Sequence, residues 1–168
     1  AFGLAGAAAH RVHINSLIDG SVRLEDHHIL VFIGGVGWGG DHGAGVIQAV
    51  RFKTNLGDRL LEFIGRGRLI LGICNGFQAL VNLGLLPGFD GDYRSRSVAL
   101  IPNACGNFRD QWVRLRVNAE SPCVFTRGLR EADFPVRHGE GRLYADDAVV
   151  RRLQNDRQIV LRYALPDG

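Results

Sequence analysis

Cys74 follows Leu69-Ile70-Leu71-Gly72-Ile73 and precedes Asn75-Gly76-Phe77-Gln78-Ala79-Leu80. The apolar run reads as a buried strand, and the residues after it read as the first turns of a helix. A thiol carried to the turn between strand and helix has the geometry of a nucleophile elbow. Gly72 and Gly76 stand two positions either side of it, where a sharp elbow brings the two backbones close together. A helix N-terminus carries a partial positive charge and unpaired N–H groups, which favour a thiolate over a thiol. The N–H of Asn75 then faces the oxygen of a carbon attacked by Cys74, as half of an oxyanion hole. A Cys after an apolar strand can also be a buried structural residue; the flanking glycines favour the nucleophile. Cys105, in Asn103-Ala104-Cys105-Gly106, and Cys123, after Pro122, lie at no strand–helix junction. Both are expected to be inert.

A second feature is the glycine-rich stretch from Gly34 to Gly45. Gly35-Val36-Gly37-Trp38-Gly39-Gly40 matches G-x-G-x-x-G after a strand, the pattern of a dinucleotide site. Against that use, the loop continues through Asp41-His42-Gly43-Ala44-Gly45 before a helix can start. No second strand follows with an acid about 20 residues on. The expected use of Gly34 and Gly35 is close backbone approach to a substrate, with a second oxyanion N–H. Two neighbouring strands that end in Gly-rich turns build a crevice at the carboxyl edge of a sheet, where ligands bind in this architecture. His10, His13 and His42 lack ligand spacing, so no metal is expected.

The elements that must hold these residues alternate. Ala1 to His10 fits the tail of a helix, Arg11 to Asn15 a strand, and His28 to Ile33 a strand buried on both faces. Val46 to Gly65 reads as helix, broken near Asn55-Leu56-Gly57. Leu69 to Ile73 is the second buried strand, and the helix after Cys74 stops at Gly84-Leu85-Leu86-Pro87-Gly88. Short strand-like pieces follow at Ser97–Ile101, Trp112–Val117 and Pro135–His138, then a helix at Asp146–Leu153 and a strand at Gln158–Tyr163. The expected fold is α/β, a doubly wound, mostly parallel sheet with helices on both faces and a short antiparallel addition.

At 168 residues, with 46% apolar and 22% charged residues, the chain suits one domain with its own core. Disorder is excluded by composition, and no run of ~18 uncharged apolar residues marks a membrane span. The net charge is +3, and the arginines scatter from Arg11 to Arg162 with acids between them. They read as a solvated surface, so neither a nucleic acid nor a membrane is an expected partner. Three cysteines are too few for a disulfide scaffold and point to a reducing, cytoplasmic compartment. The sequence has no Met, and Leu165-Pro166-Asp167-Gly168 reads as a turn directly after a strand. Residues 1–168 are therefore expected to be a single, incomplete domain of a longer protein.

The stretch Gly72 to Leu80, followed by Gly84-Leu85-Leu86-Pro87-Gly88, resembles class I glutamine amidotransferases. More narrowly, the chain is similar to the glutaminase subunit or domain of phosphoribosylformylglycinamidine synthase. Gly34-Gly35 through Trp38 and Asp41 to Gly45, Asn103 through Asn107-Phe108, and His138-Gly139-Glu140-Gly141 support the narrower match, in the expected order. The resemblance implies a flavodoxin-like amidotransferase fold. It implies that Cys74 attacks the amide of L-glutamine, forms a thioester and releases ammonia. Gly35 and Asn75 would offer oxyanion N–H groups, and Gln78 and Phe108 would seat the glutamine. Gly34, Asn107, His138 and Glu140 would shape the pocket or an interface. The ammonia would serve a synthetase subunit or domain that uses ATP and Mg to turn formylglycinamide ribonucleotide into the amidine in purine biosynthesis. No cofactor is implied in this domain.

Two departures stand out. The family usually has a second acid near the glycine loop, where this chain has Gly40 beside Asp41. Family members also activate Cys with a His-x-Glu pair inside a His-Pro-Glu motif; none occurs here, and no His follows His138. The expectation is that the family's first strand and this C-terminal segment fall outside the 168 residues. His138-Gly139-Glu140 mimics the spacing but belongs to a separate family motif, so a role in pocket or interface is expected for His138, with substitution for the catalytic base as the lesser alternative. Two alternatives remain open at this level: another cysteine-dependent amide hydrolase, and a non-catalytic regulatory or binding domain of the same fold.

Overall fold

The computed structural model describes residues 1–35 and 42–164. Its organising unit is a parallel strand pair with two helices. β1 (Ile29–Phe32) and β2 (Leu69–Gly72) pair in parallel, with Ile29 opposite Leu69 and Phe32 opposite Gly72. Between them runs α2 (Val46–Gly65), and after β2 comes α3 (Asn75–Leu83). The buried residues of α2 are Ala49, Phe52, Leu56, Leu60 and Phe63, three or four apart, which is the stripe that sets one helix face against a core. That stripe explains why α2 is unbroken where a break was expected. Leu56 is anchored in the core, and the weak helix former Gly57 faces open space. Phe32, Ala79, Leu80 and Leu83 close the same core from β1 and α3.

The N-terminal expectations fail. Ala1 to His10 makes a single turn, with Ala5 N–H donating to Ala1 O at 3.1 Å, and the rest is exposed. The residues taken for a strand instead lead into the short helix α1 (Ile14–Ile18). His13 caps it by accepting from Asn15 N–H through Nδ1. Ile14, Leu17 and Ile18 share one helical face against the core, a spacing that outweighs the apolar–polar alternation before it.

The later chain is antiparallel. β3 (Ala99–Ile101) pairs with β6 (Arg142–Tyr144), and β4 (Arg109–Val117) lies between β5 (Glu131–His138) and β7 (Leu161–Ala164). Helix α4 (Asp147–Asn155) sits between β6 and β7 in sequence. Pro135 lies within β5, an outer strand of its sheet, where a residue without an N–H does least harm. The mixed α/β class stands. The described strands, however, form small separate sheets with one parallel pair, so the antiparallel part is larger than the short addition expected. Nor is β1 buried on both faces: it grades from exposed Ile29 to buried Phe32. Among the described residues no helix is long and apolar enough to cross a membrane. Of the glycine-rich stretch Gly34 to Gly45, Val36 to Asp41, and with them most of the G-x-G-x-x-G match, lie outside the described residues, as does the turn Leu165–Gly168.

Candidate active site

Cys74 is the N-cap of α3, directly beyond β2, and takes φ 54°, ψ −120°. A positive φ is costly for a residue with a Cβ. The surroundings impose it. Helix and strands meet so closely that a Cβ on Gly72 would stand 2.8 Å from the Phe77 nitrogen, and one on Gly76 would run into the Phe32 carbonyl. Both glycines therefore do what their spacing predicts. The thiol is exposed and, among the described residues, has no hydrogen-bond partner.

The first N–H groups of α3 are largely spent. Gly76 donates to Ile73 O at 2.9 Å, and Phe77 and Gln78 donate to Cys74 O at 2.9 and 3.2 Å. The N–H of Asn75 donates to no acceptor among the described residues, and Asn75 itself is buried. A free main-chain donor next to an exposed thiol is what an oxyanion needs. On the neighbouring strand end, Gly34 lies against Cys74, and Gly35 follows with φ 118°.

Gln78, one turn along α3, is half-buried. Its Nε2 donates to Glu140 O at 2.8 Å, leaving Oε1 without a partner among the described residues. The Glu140 carboxylate in turn accepts from Ala44 N–H at 3.3 Å, just ahead of α2. The His138–Gly141 turn is thus tied to both helices of the parallel unit. Phe108 lies beside that turn: a Cβ on Gly139 would stand 3.9 Å from its Cδ2. Phe108 is itself 65% exposed. Asn107 is exposed and engages through its carbonyl, which accepts from Asn103 Nδ2 at 3.0 Å.

The structure therefore brings Gly34, Cys74, Asn75 and Gln78 together and joins Glu140, His138, Asn107 and Phe108 to them by a chain of contacts. Among the described residues no hydrogen bond joins His138 to Cys74; the imidazole Nδ1 is engaged by Asn103 Oδ1 at 2.9 Å. Sequence reasoning had not singled out Asn103 as a site residue. Apart from Asn107, its partners lie 35 to 38 residues away and share no spacing pattern with it, so the sequence marked only the stretch from Asn103 to Phe108 and not the role of its first residue. Cys105, expected to be inert, is exposed and accepts from Arg109 Nε at 3.2 Å. Hydrogen bonding at the Asn107 backbone, and then the Arg109 guanidinium, hold its thiol below the ordinary range.

Residues 1–168 match the profile of the CobB/CobQ-like glutamine amidotransferase domain. The phosphoribosylformylglycinamidine synthase subunit PurQ of Methanococcus maripaludis is 44% identical over 168 residues, all of this chain and 61% of that protein. The subunit of the same name from Dehalococcoides mccartyi is 42% identical, again over the whole of this chain and 64% of its own length. Among solved structures, that of PurLQS from Thermotoga maritima superposes with a TM-score of 0.64 at 29% identity, covering 86% of this chain and 59% of the matched one. The chain spans under two thirds of the length of these relatives.

Proposed function

This chain belongs to the CobB/CobQ-like glutamine amidotransferase domain family, and from that membership we propose that it hydrolyses the side-chain amide of glutamine through Cys74 and releases ammonia. The observation that carries the reading is the elbow itself: an exposed thiol at positive φ beside the unspent N–H of Asn75. The Cys74 sulfur attacks the carboxamide carbon, and the carbonyl electrons move onto oxygen, held by the N–H groups of Asn75 and Gly35. Collapse breaks the C–N bond. The nitrogen takes up a proton and leaves as ammonia, and a thioester remains. Water then adds to the thioester carbon and the sulfur departs with its proton restored, giving glutamate. Gln78, through its free Oε1, and Phe108 seat the glutamine, with Gly34, Asn107, His138 and Glu140 shaping the walls.

A proton acceptor for the thiol is needed, and no histidine or carboxylate bonds to Cys74 among the described residues. The family's His-x-Glu pair fills that role in this proposal, in a part of the relatives' length that these 168 residues do not span. The same proposal places β1, β2 and their helices in a doubly wound, flavodoxin-like sheet; the parallel register of the pair supports it.

The names of the relatives support a further step, in which the ammonia passes to a synthetase subunit or domain in the cytoplasm. That partner would use ATP and Mg to convert formylglycinamide ribonucleotide to the amidine, while this domain would need no cofactor. The test is to make Cys74→Ala in the protein and to measure glutamate release from glutamine. Loss of release supports the assignment, and unchanged release rejects it.

A further inference from the structure

We infer that Asn103 is a positioning residue of the glutamine pocket, and that it acts by fixing the His138–Gly141 turn and the Asn107–Phe108 segment to one another. The inference rests on the glutaminase reading above. Every hydrogen-bonding capacity of the Asn103 side chain is used. Nδ2 donates to Asn107 O at 3.0 Å and to His138 O at 2.9 Å; Oδ1 accepts from Gly141 N–H at 3.1 Å and meets His138 Nδ1 at 2.9 Å. The main chain adds a fifth bond, from Asn103 N–H to Gly139 O at 2.9 Å.

This pattern fixes more than position. Two carbonyls face one end of the amide and a main-chain N–H faces the other, so the amide can be oriented only one way. Its oxygen therefore accepts from His138, which must carry a proton on Nδ1. A Cβ on Gly141 would run into the imidazole, so the turn packs closely against the ring as well. The held turn is the one that Gln78 grips through Glu140 O and that Ala44 grips through the Glu140 carboxylate. Asn103 is thus the last link of a continuous path from the Cys74 helix to Phe108. Without it, Phe108 and Asn107 lose their tie to the His138–Gly141 turn, although the elbow keeps its own support from Gly72 and Gly76.

The experiment is site-resolved alkylation of Cys74 by iodoacetamide, read by peptide mapping, with and without glutamine, in the full chain and its Asn103→Ala and Asn103→Asp variants. Glutamine slows labelling of the unsubstituted protein. In Asn103→Ala the glutamine concentration for half-protection rises about tenfold, the scale of one or two lost hydrogen bonds, while Cys74 labelling without glutamine stays within about threefold. Asn103→Asp keeps acceptors for His138 and Gly141 but loses both donors, so it falls between the two; it also serves as the test should the Ala variant fail to fold. Protection of both variants at the original glutamine concentration overturns the role of Asn103 alone. So does Cys74 labelling that speeds up many-fold without glutamine, which would mark general loosening. An unsubstituted protein that glutamine does not protect overturns the glutaminase reading and this inference with it.

Discussion

A Cβ placed on Gly34 would stand 2.8 Å from the Cβ of Cys74 and 3.6 Å from its sulfur. The end of β1 is therefore pressed against the nucleophile, with no room for a side chain between them. Ile73 O, 3.3 Å from the same point, closes the space from the β2 side. Gly34→Ala must push the thiol or the strand end aside. The expected result is a fall of about tenfold or more in glutamate release, with a stability loss of about 1–3 kcal/mol, the usual range for an overpacked site. Full activity in Gly34→Ala would show that this contact does not set the position of Cys74.

The backbone of Cys74 yields a second prediction. At φ 54° a side chain is held in a conformation that glycine adopts freely. Cys74→Gly should be more stable than Cys74→Ala by about 1 kcal/mol in denaturant unfolding. The reverse order would contradict a strained elbow.

The elbow, α2 and the parallel pair could be read in the sequence because each rests on local signals: an apolar run, a stripe at helical spacing, glycines around one residue. The wider sheet could not. Whether β3 pairs with β6, or β4 with β5 and β7, depends on contacts between distant segments, and short strands with mixed faces leave register open. Arg11 to Asn15 misled for a related reason, since five alternating residues cannot compete with the helical face of Ile14, Leu17 and Ile18 once a core exists. At the candidate site, the place of Cys74 and Asn75 at the strand–helix junction was legible from spacing. Asn103 was not, because all that makes it matter is who meets it across the fold.

Cys105 should behave as a second reactive thiol. Its lowered pKa, due to hydrogen bonding at Asn107 and then to Arg109, means that its alkylation by iodoacetamide reaches half its plateau at a lower pH than in an Arg109→Leu variant. Coincident pH profiles in the two proteins would remove Arg109 from the account.

Glu25 and Arg59 link the segment after α1 to α2 through two bonds, at 2.9 and 3.1 Å. The side-chain hydrogen bond from Arg59 is the main reason that the Glu25 carboxyl is pulled down to about 2. A carboxyl depressed in the folded state stabilises the fold above its unfolded pKa and loses that contribution as pH falls through the folded value. Glu25→Gln should therefore cost about 1–2 kcal/mol at neutral pH, the pair being partly solvated. The gap between the two proteins should narrow from the unfolded carboxylate range, about 4.3, and close near pH 2. A gap that does not change with pH would show that the ion pair adds nothing to stability.

The most direct test of Cys74 as the nucleophile is mass spectrometry of the protein, acid-quenched during turnover of glutamine and then mapped by peptide. The account predicts a glutamyl thioester on the peptide that carries Cys74 and none on those with Cys105 or Cys123. Steady glutamate release with no adduct at Cys74, or with the adduct on another residue, would contradict it.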